Sequence, residues 1–253
     1  MSILLETNNV SKAYGSYVAL HDVSIKISSG EFISIVGPNG AGKTTLVNLL
    51  TGLHNPTAGK VLFKGNDISN LGPVQLGKLG MARAFQLVHV FPELTVRETI
   101  AAAAVSQLNK CWNMWRPALS FVDVQDRINE IANIFGLNRK LDTISGNLSQ
   151  GEKKLLDIAS AFALKPEVIL LDEPTSGVST ADKHIIMKTL VAAAREAGVG
   201  AVIQVEHDMD LVSEYSDRVV AIFGGTVLAD KPPEEFFADA NLIATVVGKR
   251  RGH

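Results

Sequence analysis

The sequence predicts an α/β protein with a mostly parallel core sheet, an N-terminal antiparallel β subdomain and a helical subdomain. Three changes of texture along the 253 residues carry that expectation. Short runs alternate apolar and polar positions up to about residue 80, helical spacing takes over between Thr95 and Leu141, and from about residue 150 helix and strand alternate as in parallel α/β units.

In the first stretch, Val23–Ile27 and Val61–Phe63 are bounded by Ser28-Ser29-Gly30 and Lys64-Gly65-Asn66, which reads as antiparallel strands joined by turns. Phe32–Val36 reads as a strand and Thr44–Leu53 as the helix that follows it. The middle stretch places Ala101–Val105 and then Ile128, Ile131, Ile134 and Phe135 at helical intervals, around a polar and aromatic segment with Trp112 and Trp115. Those two tryptophans fit a partner contact and a local aromatic cluster equally well. In the last stretch, Lys153–Leu164 is an amphipathic helix, Val168–Leu171 a buried strand, Ala181–Ala197 a helix closed by Gly198, and Val199–Val205 a strand. Gly224-Gly225 then makes a hairpin between Arg218–Phe223 and Thr226–Ala229. Neither a tandem repeat nor a low-complexity linker separates these parts, so they are expected to form one unit. The basic end Lys249-Arg250-Arg251 reads as a solvated terminus.

Composition narrows the function classes. A chain of this size buries roughly 70–75% of its unfolded surface, so it needs no disulfide or structural metal to fold. Cys111 is the only cysteine, which excludes a disulfide framework and a cysteine zinc cluster and points to a reducing compartment. Although 46% of residues are hydrophobic, the apolar runs fall far short of the roughly 20 residues of a spanning helix. The stretch MSILLETNNV lacks a basic leader and an apolar signal segment, so neither secretion nor membrane spanning is expected. A net charge of −2 without a basic block argues against a large nucleic-acid footprint.

The strongest motif is Gly37-Pro38-Asn39-Gly40-Ala41-Gly42-Lys43-Thr44, followed by Thr45, which fits G-x-x-x-x-G-K-[ST] at every fixed position. Its strand-to-helix context is right. Glycines let backbone N–H groups converge on phosphates, the helix N-terminus adds a favourable dipole, Lys43 neutralises β- and γ-phosphate charge, and the Thr44 hydroxyl is a Mg²⁺ ligand. A second feature, Val168-Ile169-Leu170-Leu171-Asp172-Glu173, ends a buried strand in two acids. In phosphate-loop enzymes an Asp at this place holds Mg²⁺. Glu173 is then placed to polarise a water for attack on the γ-phosphate. A GTPase or a nucleotide kinase shares both features. The guanine motif Asn-Lys-x-Asp is missing, because Asn109-Lys110 is followed by Cys-Trp.

Leu148-Ser149-Gln150-Gly151-Glu152 lies ahead of the acidic strand and opens a helix. As Ser-x-x-Glu it is a capping box. It also resembles the LSGGQ signature of ABC ATPases, with Gln at the first Gly and Glu at the Gln. Other segments match that family in order: Tyr14, in Lys12-Ala13-Tyr14-Gly15, resembles the aromatic that stacks on adenine; Gln86, in Ala84-Phe85-Gln86-Leu87, resembles the Q-loop glutamine that touches Mg²⁺ and the attacking water; His207, in Val205-Glu206-His207-Asp208, resembles the switch histidine at the γ-phosphate. The resemblance covers essentially the whole chain. It implies a single ABC ATPase domain over 1–253, with an ATP-binding core at about 1–94 and 150–253 and a helical subdomain at about 95–149. It further implies ATP and Mg²⁺ as cofactors and a dimer, since each ATP lies between the phosphate loop of one subunit and Ser149, Gly151 and Glu152 of another.

Met81-Ala82-Arg83-Ala84-Phe85-Gln86, Phe91-Pro92-Glu93-Leu94-Thr95-Val96, the long insert, Glu206-His207-Asp208-Met209 and Ser216-Asp217-Arg218 look like the ATP-binding subunits of importers for branched-chain or other hydrophobic amino acids and for urea. That narrower resemblance implies integral membrane permease subunits as partners, a substrate-binding protein acting through them, and a place on the cytoplasmic face of the cell membrane. Homodimer and heterodimer both remain open, as do amide and aromatic-acid importers and an exporter or lipid-extraction system. A soluble family member acting on nucleic acid or ribosomes fits less well, because the chain has one cassette and no zinc cysteines or long coiled coils. Ser179, in Ser176-Gly177-Val178-Ser179, stands where many ABC ATPases carry Asp, which puts communication between the two sites in question.

Overall fold

The structure is a computed structural model and describes residues 2–84, 91–108 and 117–247. The chain divides into two compact units, residues 1–79 with 200–253, and residues 80–199.

The first unit begins with β1 (Ile3–Tyr14) and β2 (Tyr17–Ser28), then β3 (Phe32–Val36), α1 (Lys43–Leu50), β4 (Ala58–Phe63), β5 (Asn66–Asp67) and α2 (Pro73–Lys78). The second holds β6 (Met81–Ala84), α3 (Val96–Gln107), α4 (Val122–Ile134), α5 (Gln150–Ala163), β7 (Val168–Asp172) and α6 (Thr180–Glu196). The chain then returns to the first unit as β8 (Ala201–Val205), α7 (Met209–Tyr215), β9 (Arg218–Phe223), β10 (Thr226–Lys231), α8 (Pro233–Ala238) and α9 (Ala240–Val247).

In the first unit, β2-β1-β4-β5 form an antiparallel sheet. The period-two pattern fixes its register: Leu5 lies opposite Ile27 and Phe63, and Thr7 opposite Ile25 and Val61, so one face is buried throughout. Reading all of residues 1–80 as antiparallel needs one correction. β3 leaves that sheet and runs parallel to both β8 and β9, with β10 antiparallel on β9. All five residues of β3 are buried, as a strand covered on both faces requires. Behind it, Val36, Val212, Val219, Ala221, Phe236 and Val246 form one apolar cluster, each fully buried aliphatic side chain contributing about 1.5–3 kcal/mol.

Helix α1 ends at Leu50 rather than Leu53. Thr51 turns its hydroxyl back onto the Val47 carbonyl, and Gly52 takes a left-handed φ of 67° where a Cβ would strike the Leu71 carbonyl. Val199 belongs to the end of α6 rather than to β8, because its N–H closes on the Ala194 carbonyl. The hairpin turn at Gly224 and Gly225 has φ values of 55° and 80°, the paired left-handed geometry that two-residue turns demand.

In the second unit, β6 and β7 pair in parallel, Arg83 lying opposite Leu170 and Ala84 opposite Leu171. Helix α5 packs on α3, α4, α6 and β6. Its apolar face buries Leu156, Ile158, Ala159 and Phe162, and the Phe162 ring meets Phe135 edge-on at 5.2 Å. Among the described residues, no helix is long and apolar enough to cross a membrane.

Candidate nucleotide site

In the first unit, the loop from β3 to α1 is shaped by glycines that no other residue replaces. Gly37 and Gly42 have φ values of 151° and 110°, and a Cβ at Gly37 would lie 2.2 Å from the Ile222 carbonyl oxygen. A Cβ at Gly42 would lie 2.8 Å from both the Ala19 carbonyl oxygen and a Leu20 methyl. The loop is also tied to its surroundings, because Gly225 N–H donates to the Ala41 carbonyl at 3.0 Å and His21 N–H donates to Gly225 at 2.8 Å.

Gly42 caps α1 without a side-chain oxygen, and the first turn carries no acid. A helix N-terminus of this kind suits an anion, with the helix dipole behind it. Lys43 is buried at 6% exposure and curls back along the loop, its Nζ donating to the carbonyls of Gly37 at 2.7 Å and Pro38 at 3.0 Å. Thr44 is exposed and Thr45 half-buried. Tyr14, at the end of β1, is 44% exposed, with Lys12 Nζ 5.2 Å above its ring and His54 edge-on at 5.8 Å. His207, just past β8, is exposed, and its N–H reaches the carboxylate of the buried Glu206 at 3.3 Å. Gln86 lies outside the described residues, as do Cys111, Trp112, Trp115 and the basic tail.

In the second unit, the capping box at α5 forms as its spacing predicts. Ser149 Oγ accepts from Glu152 N–H at 3.2 Å, while the Glu152 carboxylate accepts from Ser149 N–H at 2.9 Å and meets Lys140 at 3.1 Å. The Ser149 N–H bond, followed by Lys140, holds the Glu152 carboxyl below its usual range. Ser149 is exposed, whereas Gly151 is buried, with Asp182 against it so closely that a Cβ would come within 3.3 Å of the Asp182 carboxyl carbon. Ser179 caps α6, accepting from Asp182 N–H at 3.2 Å and donating to the Asp182 carboxylate at 2.7 Å. Ser179 is thus a helix cap bonded to an acid three positions on.

The acidic end of β7 is held by two cations. Asp172 is buried, and Arg83 Nη2 donates to its Oδ2 at 3.0 Å. Glu173 is half-buried and adopts a left-handed φ of 50°. This conformation costs an L residue on the order of 1–3 kcal/mol and is retained where the surroundings impose it. Here its carbonyl accepts from Ser176 N–H at 3.1 Å and from Lys154 Nζ at 3.4 Å, and Lys154 also reaches Ser176 Oγ at 3.4 Å.

The chain is similar to known proteins along nearly its whole length. The ABC transporter family matches residues 20–176. The high-affinity branched-chain amino acid transport ATP-binding protein LivG of Escherichia coli strain K12 is 32% identical over 251 residues, 97% of this chain and 98% of that protein. The chain belongs to the ABC transporter family. The ADP conformation of an ATP-binding cassette of an ABC transporter superposes with a TM-score of 0.84 at 28% identity, covering 98% of this chain and all of that one. A dimeric cassette in a post-hydrolysis state with ADP and Pi matches with a TM-score of 0.75 at 28% identity, over 91% of this chain and 99% of that one. The chain is accordingly an ABC ATPase, and the α/β fold with one antiparallel and one mostly parallel sheet is that of the family's cassettes.

Three charged residues of this ABC ATPase were given no role by the motif reading. Lys154 sits on the buried face of α5 with Gly151, Ile158 and Ala161, a lysine inside an otherwise apolar 3–4 spacing, and that break in pattern was the available signal. Arg83 likewise interrupts the short strand of Met81, Ala82 and Ala84. Asp157, one turn beyond Lys154, lines a small cavity with Lys154, Ala84, Ile158, Leu171, Asp172 and Pro174. Burial pushes its carboxyl up to about 7, against the pull of Lys154.

Because this pKa is higher in the folded than in the unfolded chain, the native state holds the proton more tightly, and stability falls as pH rises from about 4 to about 7. Asp157→Asn removes that dependence. Between pH 5 and pH 8 the variant is expected to gain about 2–3 kcal/mol relative to the wild type. Urea denaturation at the two pH values measures this, and a pH-independent difference contradicts it.

Proposed function

We propose that this ATPase powers an importer for branched-chain or other hydrophobic amino acids. The observation that carries the reading is the 32% identity with a branched-chain amino acid transport ATP-binding protein over nearly the full length of both chains. On this reading, residues 1–253 act as one ATPase domain. Tyr14 stacks on adenine, and Gly37, Pro38, Asn39, Gly40, Ala41, Gly42, Lys43, Thr44 and Thr45 enclose the phosphates. Ser149, Gly151 and Glu152 of a second subunit, identical or homologous, complete each site.

The Thr44 hydroxyl, the Asp172 carboxylate and the Gln86 amide are hard oxygen donors of the kind Mg²⁺ takes, alongside phosphate and water. Among the described residues there is no cluster of three or more His, Cys, Asp or Glu able to hold a metal ion. When bound, Mg²⁺ neutralises phosphate charge. The chain's own residues do the rest: Lys43 offsets the charge of the transferred phosphoryl group, Glu173 takes a proton from the attacking water, and His207 and Gln86 orient the γ-phosphate and that water. Closing and reopening of the paired subunits drives permease subunits, which hold this chain on the cytoplasmic face of the membrane and receive substrate from a binding protein.

Affinity purification of the tagged chain from its own membranes tests the reading. Recovery of polytopic permeases, whose partner binding protein binds leucine-type amino acids, is the expected result. Recovery of a lipid or drug transporter overturns it.

A further inference from the structure

We infer that Arg83 is the resident counter-ion of Asp172 and sets how strongly nucleotide binding depends on Mg²⁺. The inference rests on the reading of Asp172 as a metal-holding residue. Arg83 lies opposite Leu170 in the parallel pair of β6 and β7, and Asp172, two residues beyond Leu170, points to the same side of the strand. The guanidinium meets the carboxylate at 3.0 Å, and the two side chains are 10% and 8% exposed.

A buried ion pair of this kind is a poor device for stability. Removing two charges from water costs about what their attraction returns, and apolar residues of the same size commonly serve as well. What the pair does is place one positive charge on the carboxylate that a dication must approach. The two cations therefore compete for Asp172: Arg83 holds one of its oxygens, orients the group, and reduces the negative potential that Mg²⁺ would feel. The site then favours the metal only when phosphate charge accompanies it. Lys154 Nζ is directed to the Glu173 carbonyl and Ser176 Oγ.

The test is a titration of the full chain with MgCl₂, monitored by a fluorescent ATP analogue, with a parallel measurement in EDTA. Arg83→Gln is expected to lower the Mg²⁺ concentration at half-effect by about tenfold, the scale of one unit charge a few ångströms away in a partly buried site. Nucleotide affinity in EDTA should stay unchanged, which a merely structural lesion would not spare. Arg83→Lys keeps the charge but loses the planar fork, and shifts the half-effect in the same direction by about threefold. This variant carries the test where Arg83→Gln does not fold.

An unshifted Mg²⁺ dependence in the folded variants overturns the inference, as does an equal loss of affinity with and without metal. Asp172→Asn separates the two layers. If it leaves Mg²⁺ dependence untouched, the reading of Asp172 itself fails; if it changes that dependence while the Arg83 variants do not, the reading stands and the role of Arg83 falls.

Discussion

Glu173→Gln is expected to lower ATP turnover by on the order of 10²–10⁴-fold, the range that a positioned general base contributes, while leaving nucleotide binding at wild-type strength. The substitution is isosteric and removes the negative charge together with the ability to take a proton. The local structure supports a clean comparison, because Ser176 N–H and Lys154 hold the residue through its main-chain carbonyl, which glutamine retains. Phosphate release together with binding of a labelled ATP analogue measures both halves of the expectation. Hydrolysis at the wild-type rate would show that the base lies elsewhere.

Lys43→Ala should fail differently, losing nucleotide affinity and hydrolysis together. Removing a positioned charge that faces the transferred phosphoryl group lowers the rate by about 10²–10³-fold. A second effect comes from the loop itself, where the Lys43 ammonium bridges the carbonyls of Gly37 and Pro38 and so holds the loop in its curled form. Alanine deletes both the charge and the tie, so the N–H groups of the loop are less well ordered when nucleotide arrives. Lys43→Met keeps most of the buried stem but loses the charge and the tie as alanine does, so it should not recover affinity. Tight nucleotide binding by either variant would contradict the role of Lys43.

The two variants sample sites of unequal legibility. The phosphate loop was readable because its chemistry depends on residue types at fixed short spacing, and the structure places a steric reason under Gly37 and Gly42. The capping box at Ser149 and Glu152 was readable for the same reason, although its geometry alone serves a helix end as well as a phosphate. Arg83, Lys154 and Asp157 were harder. Pattern reading assigns charged residues to the outside, and these are turned inward by partners that only the folded chain supplies. β3 shows the same limit at the level of topology. Its short apolar run looked like its antiparallel neighbours, and its parallel partners β8 and β9 lie near the far end of the chain.

The left-handed backbone at Glu173 has a bearing on engineering. A library selected for thermal resistance alone should drift toward glycine at this position, since glycine adopts that conformation without penalty. With Glu173 read as the general base, such a protein would be sturdier and would turn over ATP on the order of 10²–10⁴-fold more slowly. On that reading, heat tolerance is a misleading proxy for fitness in this chain.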